Sequence, residues 1–214
     1  MKSSESRARQ AIRGLYAITP DEADTEELLR KVRLILLGGA RILQYRNKTA
    51  GAVLRLKQAK ALRELTQKFG VQLIVNDDIV LARQVNADGV HLGGADGSAA
   101  MARTQLGDCM LIGVSCYNRM ELAHEAAGMG ADYLAFGSFF ASTVKPNAVV
   151  ANPDILRQAR CEFTAPLVAI GGITPQNGVD LLSAGANALA VISAVFAAPD
   201  IQGAARQFSN LEYS

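Results

Sequence analysis

The sequence is poor in cysteine, in histidine and in excess charge of either sign. Its three cysteines, Cys109, Cys116 and Cys161, show no CxxC spacing, so reduced thiols are expected rather than a disulfide framework or a zinc site. The formal net charge is only +2, whereas a nucleic-acid surface needs clustered Lys and Arg without balancing acids. We therefore expect a cytoplasmic protein that does not bind nucleic acid.

Long apolar runs are missing as well. None reaches the roughly 18 residues that a transmembrane helix requires, and residues 1–5 contain no apolar segment typical of a signal peptide. A membrane partner is therefore not expected. Half of the 214 residues are nevertheless hydrophobic, which predicts one compact domain over residues 1–214. Residues 1–13 would form an N-terminal helical extension, with a helix at Ser3–Ile12.

Short runs of Val, Ile and Leu alternate with longer stretches of helical periodicity, which indicates parallel strands linked by helices. Eight strands are predicted, at Leu15–Thr19, Ile42–Arg46, Gln72–Asp77, Gly89–Gly93, Met110–Cys116, Tyr133–Gly137, Leu167–Gly171 and Ala188–Ile192. The clearest helices are predicted at Thr25–Leu37, Ala52–Phe69, Arg119–Met129, Pro153–Cys161 and Pro175–Ser183.

A weak internal repeat supports this strand count. Similar tripeptides, which begin at Gly39, Asn86, Gly130 and Gly185, precede the second, fourth, sixth and eighth strands. Gly or Asn just past a helix adopts the left-handed conformation that ends it. Four units of two strands and two helices close into a (β/α)8 TIM barrel. The alternative, an open doubly wound sheet, would more often carry a GxGxxG turn after its first strand, and none is present.

In such a barrel the chemistry lies at the carboxyl ends of the strands. The second strand ends in Gln44, Arg46 and Lys48, which strand alternation places on one side. An amide, a guanidinium and an ammonium that point the same way cannot be buried in a dry core without partners, so an anion is expected there. An edge strand with its polar face in water is the alternative.

Carboxylates follow the next two strands. Asp77 ends the third strand beside Asn76, and Asp96 lies in the loop after the fourth. Because neighbouring strands are about 4.8 Å apart, both carboxylates could reach one Mg²⁺ ion together with substrate phosphate oxygens. In the alternative interpretation, Asp77 or Asp78 caps the following helix and Asp96 caps a helix that begins at Ser98.

Ser115, near the end of the fifth strand, can donate a hydroxyl to the same mouth. It is not expected to be a nucleophile, because no GxSxG turn surrounds it and neither of the two histidines is evidently placed as its base. We interpret His91 as a structural strand-end residue and His124 as a solvated helix residue. Acid–base catalysis by histidine is therefore not expected.

Residues 138–147, after the sixth strand, form the longest irregular segment, which is typical of a lid or binding loop. Lys145 is the mobile cation expected to close over a leaving group. A solvated loop lysine is the alternative interpretation.

A second anion site is predicted after the last two strands. Gly171 and Gly172 follow the seventh strand, and Ile192 and Ser193 follow the eighth. Paired glycines let backbone N–H groups approach a phosphate, as in the phosphate cup of such barrels. A simple chain turn is the alternative. Two facing anion sites predict two phosphorylated small-molecule substrates.

These motifs, taken in order, resemble those of the thiamine-phosphate synthase family over roughly residues 14–208. The matching runs are Gln-Tyr-Arg-Asn-Lys at 44–48, Asn-Asp at 76–77, His-Leu-Gly with a following Asp at 91–96, Gly-Val-Ser at 113–115, Phe-Gly-Ser-Phe-Phe with a later Lys-Pro at 136–146, Ile-Gly-Gly-Ile at 170–173 and Val-Ile-Ser at 191–193. The resemblance implies a transferase that joins 4-amino-5-hydroxymethyl-2-methylpyrimidine diphosphate to a thiazole phosphate and releases pyrophosphate. In the family's mechanism the diphosphate leaves first, and the thiazole nitrogen captures a pyrimidine carbocation.

The resemblance also implies the site residues. The pyrimidine diphosphate would be held by Gln44, Tyr45, Arg46, Asn47, Lys48, Asn76, Ser115 and Lys145, of which Arg46, Ser115 and Lys145 would be catalytic. Mg²⁺ would be bound by Asp77 and Asp96. The thiazole phosphate would be held by Ser142, Thr143, Val144, Gly172, Ile192 and Ser193.

The chain departs from the family pattern in two segments. Ala141 and Val144 alter the family's Pro-Ser/Thr-x-Thr-Lys loop, and Gly94 replaces a common glutamine. A thiazole tautomerase-like enzyme and a degenerate phosphate-binding barrel are the alternative functions. A sugar-phosphate isomerase or epimerase would need an acid–base residue at the barrel centre, for which the sequence offers no persuasive candidate. Whether the chain forms a homo-oligomer is left open.

Overall fold

The computed structural model describes residues 12–93, 98–141 and 151–213. Its eight parallel strands close into a barrel in the order of the sequence, which confirms the predicted (β/α)8 fold. They are β1 (Gly14–Ile18), β2 (Ile42–Tyr45), β3 (Gln72–Asn76), β4 (Gly89–Leu92), β5 (Leu111–Tyr117), β6 (Tyr133–Gly137), β7 (Leu167–Ile170) and β8 (Ala188–Val191). Each predicted strand end lies within about one residue of the observed end.

The helices are α1 (Thr25–Leu37), α2 (Ala52–Phe69), α3 (Ile79–Gln84), α4 (Ala99–Leu106), α5 (Met120–Gly128), α6 (Asp154–Glu162), α7 (Pro175–Ser183), α8 (Ser193–Phe196) and α9 (Ile201–Ser209). Bounds were predicted correctly for α1, α2 and α7. Helices α3, α4, α8 and α9 were not among the clearest predicted helices, and the 6 and 4 residues of α3 and α8 give too little periodicity to detect. The predicted helix at Ser3–Ile12 lies, except for its last residue, outside the described residues.

Strand side chains alternate between two apolar cores. Tyr16 of β1 and Ile42 of β2 point into the barrel, whereas their neighbours Leu15 and Leu43 pack against the helices. Because both faces of each strand are buried, the strands appear in the sequence as nearly continuous apolar runs.

The sequence repeat corresponds to a hydrogen-bonded brace at the amino-terminal end of the barrel. Asp88 accepts from the Leu73 N–H at 2.8 Å and from the Arg63 guanidinium at 2.6 Å, both on Oδ2. Asp132 makes the equivalent bonds with Ile112 and Arg103. These two bonds measure 2.8 and 2.5 Å. An acidic residue before an even-numbered strand thereby ties the preceding odd-numbered strand to a helix.

The third brace uses an amide. Asn187 Oδ1 accepts from the Leu167 N–H at 2.9 Å and from Arg160 at 3.0 Å. In the first unit the position is occupied by Arg41, whose N–H donates to the Leu15 carbonyl at 3.1 Å but whose side chain cannot accept. The four residues that were predicted to adopt a left-handed backbone conformation do so, with φ of 99° at Gly39, 51° at Asn86, 85° at Gly130 and 112° at Gly185.

Two further observations concern the cysteines and the helices. Cys109 and Cys161 are exposed free thiols, and Cys116 is a buried one. Burial raises the pKa of Cys116 to about 12. Within the described ranges, no helix combines the length and apolar character needed to cross a membrane.

Candidate active site

The polar ends of β2 to β5 meet at the carboxyl-terminal mouth of the barrel. Strand pairing sets the height of these residues along the barrel axis. Gln44 lies opposite Ile18 on one side and Ile74 on the other, and Asn76 lies opposite His91. Strands that are neighbours in the barrel end on the same rim. Gln44, Asn76 and Ser115 therefore lie around one mouth.

Gln44 points into the barrel. Its side chain is buried, and its Nε2 donates to the Tyr16 hydroxyl at 2.9 Å. A buried amide needs such a partner because an unsatisfied polar group is costly. Since β2 ends at Tyr45, Arg46 and Lys48 belong to the following loop, and the predicted alternation does not extend to them.

His91 and Ser115 lie side by side, contrary to the expectation that no histidine stands beside this serine. His91 Nε2 is 2.9 Å from Ser115 Oγ, and Nδ1 is 3.1 Å from the Tyr133 hydroxyl. The pairing of β4 with β5 explains the contact, because His91 lies opposite Gly113 and Ser115 is two residues further on the same face. The sequence does not reveal this register between β4 and β5, so it carried no direct signal for the pair.

Two tyrosines that were not among the predicted site residues complete this interior polar group. The hydroxyls of Tyr16 and Tyr133 are 2.9 Å apart, and the Tyr133 ring stacks on His91 with centroids 5.6 Å apart. Burial raises the pKa of both tyrosines well above the ordinary value, so both hydroxyls stay protonated near neutral pH. A polar ring at an inward position of β1 or β6 was the available signal.

Gly113 makes room for the Tyr133 ring. A methyl group built on Gly113 would overlap the ring and the hydroxyl of Tyr133. The glycine of the Gly-Val-Ser run is therefore required by packing inside the barrel rather than by a turn, and its backbone φ is not in the left-handed region.

Asp21 holds Arg46 at the rim. Its Oδ1 lies 3.1 Å from Arg46 Nη1 and accepts from the Lys48 N–H at 2.9 Å. Thr19 binds the backbone of Arg46 twice, accepting from its N–H at 2.9 Å and donating to its carbonyl at 2.8 Å. The loop that carries both cations is thus fastened to the loop after β1. Asp21 and Thr19 were not among the predicted site residues.

The carboxylate of Asp77 contacts a cationic side chain and an amide side chain at the same rim. Its Oδ2 lies 3.5 Å from Lys48 Nζ and accepts from Asn76 Nδ2 at 2.6 Å. Its φ of 64° is in the left-handed region, and its N–H donates to the His91 carbonyl at 2.8 Å. Such a conformation is unfavourable for a residue other than glycine, so the surrounding contacts impose it.

The helix-capping role that was the alternative for Asp77 belongs to its neighbour. Asp78 is the N-cap of α3, and its Oδ1 accepts from the Leu81 N–H at 2.9 Å. Ser98 likewise caps α4 by accepting from Met101. The carboxylate of Asp77 is therefore left at the mouth, 26% exposed. In the described part of the chain, no cluster of three or more His, Cys, Asp or Glu residues could hold a metal ion.

Tyr45 and Asn47 lie on the outer side of β2, and the structure does not bring them to the mouth. The Tyr45 hydroxyl donates to Gln58 Oε1 of α2 at 2.9 Å, and Asn47 Nδ2 donates to the same oxygen at 3.1 Å. Asn47 Nδ2 also donates to the Glu22 carbonyl at 2.7 Å. These hydrogen bonds attach the loop after β2 to α2 and to the loop after β1.

The predicted phosphate-cup residues follow adjacent strands. Since β7 pairs Ile170 with Ala190 of β8, Gly172 and Ile192 lie at a similar level. Gly172 has a φ of 62°, and a side chain there would overlap the backbone of the loop after β6. Ser193 begins α8, and the first N–H groups of a helix have no partner within it. The turn after β7 and the start of α8 therefore lie next to each other at this side of the mouth.

The loop after β6 starts along this turn. The N–H groups of Phe139 and Phe140 donate to the carbonyls of Ile170 and Gly171 at 3.2 and 3.0 Å. Several predicted residues lie outside the described ranges: Gly94, Asp96, Ser142, Thr143, Val144 and Lys145. Their assignments stay predictions.

Sequence comparison points to one family. A family model described as thiamine monophosphate synthase matches residues 15–195. A thiamine-phosphate synthase of Nitrosospira multiformis is 49% identical over 211 residues, which cover 99% of this chain and 90% of that relative. Another, of an Azoarcus species, is 53% identical over 191 residues, which cover 89% and 93%.

Comparison with solved structures points to the same family. A thiamine phosphate pyrophosphorylase from Pyrococcus furiosus superposes with a TM-score of 0.84 at 36% identity, over 94% of this chain and 95% of that one. A 3-hexulose-6-phosphate synthase reaches a TM-score of 0.70 at 16% identity, over 91% of this chain and 98% of the other. The second likeness shows a shared fold only.

Proposed function

Because this chain belongs to the thiamine monophosphate synthase family, we propose that its mouth binds two phosphorylated substrates on opposite sides. The enzyme is a transferase of thiamine biosynthesis that joins a hydroxymethylpyrimidine diphosphate to a thiazole phosphate and releases pyrophosphate. The observation that carries the site assignment is the gathering of Arg46, Lys48 and Asp77 at the rim where β2 and β3 end. We also assign the enzyme to the cytoplasm.

The pyrimidine diphosphate is assigned to the β2–β5 side. Arg46 and Lys48 supply positive charge to the diphosphate, and their present partners are the carboxylates of Asp21 and Asp77 at 3.1 and 3.5 Å. Both pairs are partly exposed, so an incoming diphosphate can compete for the cations at small cost. Gln44 at the barrel interior and Ser115 at the mouth offer hydrogen bonds to the ring end and the phosphate end of one extended ligand.

The carboxylate of Asp77 suits Mg²⁺. This ion commonly takes one or two carboxylates, with waters and substrate phosphate oxygens for its remaining ligands. Asp77 presents a partly exposed carboxylate at the rim, and Lys48 beside it would hold the diphosphate next to the ion. Asp96, on the following loop, is the proposed second ligand. When bound, the ion would neutralise charge on the leaving diphosphate.

The chain's own residues then have one main task in catalysis. The bond between the pyrimidine methylene carbon and the diphosphate oxygen breaks, and its electron pair leaves with the diphosphate. Arg46, Lys48 and Lys145 stabilise that departing charge, which lowers the barrier without a protein nucleophile. The thiazole nitrogen then donates its lone pair to the methylene carbon and forms the new C–N bond.

The thiazole phosphate is assigned to the β7–β8 side. Backbone N–H groups at Gly172, Ile192 and Ser193 suit a phosphate, because glycine without a side chain and the start of a helix both expose amide donors. Ser142, Thr143 and Val144 complete this assignment from the loop after β6. Val144 has no hydroxyl, so a contact from that position would come from its backbone.

The proposal is tested with the purified protein and both substrates. We expect Mg²⁺-dependent pyrophosphate release that requires both substrates, and calorimetric binding of the thiazole phosphate. Arg46→Ala should reduce kcat/KM on the order of a hundredfold, as for loss of a group that stabilises developing charge. Arg157→Ala is the matched control, because that arginine pairs with Asp154 on the exposed surface of α6. Thiazole phosphate binding without pyrophosphate release would favour a degenerate barrel, and equal effects of the two arginine variants would overturn the site.

A further inference from the structure

Five side chains from five different strands form one continuous chain of hydrogen bonds across the barrel interior. It runs from Gln44 Nε2 to the Tyr16 hydroxyl at 2.9 Å, from there to the Tyr133 hydroxyl at 2.9 Å, and on to His91 Nδ1 at 3.1 Å. His91 Nε2 ends it at Ser115 Oγ, 2.9 Å away. The two ends, Gln44 and Ser115, are the groups proposed to meet the pyrimidine diphosphate.

The direction of every bond in this chain follows from its first one. The Gln44 NH2 group donates to Tyr16 and cannot accept, so the Tyr133 oxygen is the acceptor that we assign to the buried hydroxyl proton of Tyr16, which would be costly to leave unbonded. Tyr133 then donates its own proton to His91 Nδ1. For a neutral imidazole, an accepting Nδ1 leaves the ring proton on Nε2. Nε2 donates to Ser115, whose hydroxyl proton is therefore turned away from the histidine and toward the mouth.

We propose that Tyr16 and Tyr133 are positioning residues, which fix His91 as its Nε2–H tautomer and thereby aim the hydroxyl proton of Ser115 into the mouth. This inference rests on the proposed function for its ligand, the pyrimidine diphosphate. At one end, Gln44 Oε1 is left to accept from an exocyclic amino group. At the other end, the Ser115 hydroxyl is left to donate to an anionic phosphate oxygen. An aminopyrimidine diphosphate needs a protein acceptor at its amino group and a donor at its phosphate, so one direction of the chain suits both ends.

Packing alone does not explain these tyrosines. Phenylalanine would fill the same space without burying two hydroxyls, and each buried hydroxyl is costly unless it is bonded. Position 113 also has to be glycine, because a side chain there would overlap the Tyr133 ring. Burial raises the pKa of both tyrosines, so each hydroxyl keeps the one proton that it donates along the chain.

The tautomer of His91 can be read directly by nitrogen NMR on ¹⁵N-histidine-labelled, ligand-free protein. The chain has only two histidines, and His124→Gln assigns the signals, because His124 lies on the surface beside Glu162. We expect the wild-type His91 to be the Nε2–H tautomer. Tyr16→Phe, which removes a group that does not itself bond to His91, should convert it to a mixture of both tautomers. Tyr133→Phe should remove the hydrogen bond to Nδ1 outright.

Tyr213→Phe is the matched control, because its hydroxyl donates to the Phe208 carbonyl at the C-terminal helix, away from the barrel interior. It should leave the His91 signals unchanged. Circular dichroism confirms that each variant is folded. An Nδ1–H tautomer or a doubly protonated ring in the wild type would overturn the proposal, as would a His91 tautomer that is unchanged in both Tyr16→Phe and Tyr133→Phe.

Kinetics test the second half of the inference. Tyr16→Phe should lower kcat/KM for the pyrimidine diphosphate by about tenfold, the equivalent of one well-placed hydrogen bond. In a Ser115→Ala background the same change should cost less than about twofold, because the hydroxyl it orients is gone. Additive effects would overturn the orienting role. The tautomer measurement needs no turnover, so its result stands whether or not pyrophosphate release is observed.

Discussion

Asp21 Oδ1 accepts the Lys48 N–H at 2.9 Å and lies 3.1 Å from the guanidinium of Arg46. One carboxylate oxygen on the loop after β1 therefore orders both the backbone and a cationic side chain of the loop after β2. Asp21 is a candidate positioning residue, because it shapes the cation pair without being needed to bind the diphosphate itself.

Replacing Asp21 should separate these two contributions. Asp21→Ala removes both contacts and should raise KM for the pyrimidine diphosphate about fivefold, as expected for loss of one hydrogen bond and one partly exposed ion pair. Asp21→Asn keeps an acceptor for the Lys48 N–H and should change KM less than about twofold. Steady-state kinetics of the wild type and of both variants measure these changes in KM. Equal effects of the two variants would show that the charge of Asp21, rather than its hydrogen bond to the loop, is what counts.

Asp77 and Asp78 offer a matched pair for testing the metal assignment. Asp77→Asn should abolish Mg²⁺-dependent turnover, because a neutral amide is a poor ligand for a hard cation. Asp78→Asn should retain turnover and helix stability, because asparagine is as good an N-cap as aspartate. Pyrophosphate release is measured across a range of Mg²⁺ concentrations. Unchanged activity of Asp77→Asn at saturating metal would refute its role.

Lys145 is predicted from the sequence to stabilise the departing diphosphate. Lys145→Ala should raise the barrier to diphosphate departure by at least about 2 kcal/mol, on the scale of losing one oxyanion donor. The measurement is a single-turnover rate with both substrates bound, which separates this step from substrate binding and product release. A normal single-turnover rate would mean that this residue is only a solvated loop lysine.

The strands and the rim residues could be predicted from the sequence for a simple physical reason. Both depend on local signals, namely β-branched apolar runs punctuated by residues such as Gly39 and Gly130, and polar residues at the run ends. The interior network depends instead on which strands become neighbours. Tyr16 and Tyr133 are 117 residues apart in the chain, and each sits in an apolar run that reads as ordinary core.

The position of His91 beside Ser115 likewise depends on which strands become neighbours. The sequence alone could not show that His91 of β4 lies opposite Gly113 of β5, and this pairing is what brings Ser115 to its ring. The outward placement of Tyr45 follows alternation along β2, but Asn47 lies beyond the strand, where alternation no longer applies. Its place is set by Gln58 and Glu22, which come from two other segments.

Gly113 gives a prediction about packing inside the barrel. Gly113→Ala should destabilise the protein by about 2 kcal/mol, because an added methyl group overlaps the Tyr133 ring in a closely packed interior. It should also lower activity by displacing Tyr133 from His91. Gly128→Ala is the control, since it lies in helix α5 with open space around it, and it should stabilise by about 0.5 kcal/mol. Urea unfolding measures both, and a stable, fully active Gly113→Ala protein would contradict the packing argument.

The brace at Asp132 gives the last prediction, which concerns stability alone. Its carboxylate is 7% exposed and accepts from Arg103 at 2.5 Å and from the Ile112 N–H at 2.8 Å. Asp132→Ala should cost about 3 kcal/mol, because it leaves the Ile112 N–H without its acceptor and leaves the largely buried guanidinium of Arg103 without a carboxylate, with only backbone carbonyls as partners. Asp132→Asn should cost only about 1 kcal/mol, since Asn187 holds the equivalent position with an amide oxygen that accepts from Leu167 and Arg160.

Asp154→Ala provides the comparison for this brace, because its ion pair with Arg157 is mostly exposed and should contribute less than about 1 kcal/mol. Free energies of unfolding from urea titrations rank the three variants, provided that the slope with denaturant stays constant. The braces act at the end of the barrel opposite the mouth, so kcat/KM at a temperature where all variants are folded should stay within about twofold of the wild type. If Asp132→Asn were as unstable as Asp132→Ala, the brace would depend on the buried charge rather than on an oxygen acceptor, and the equivalence of the acidic and amide units of the repeat would be wrong.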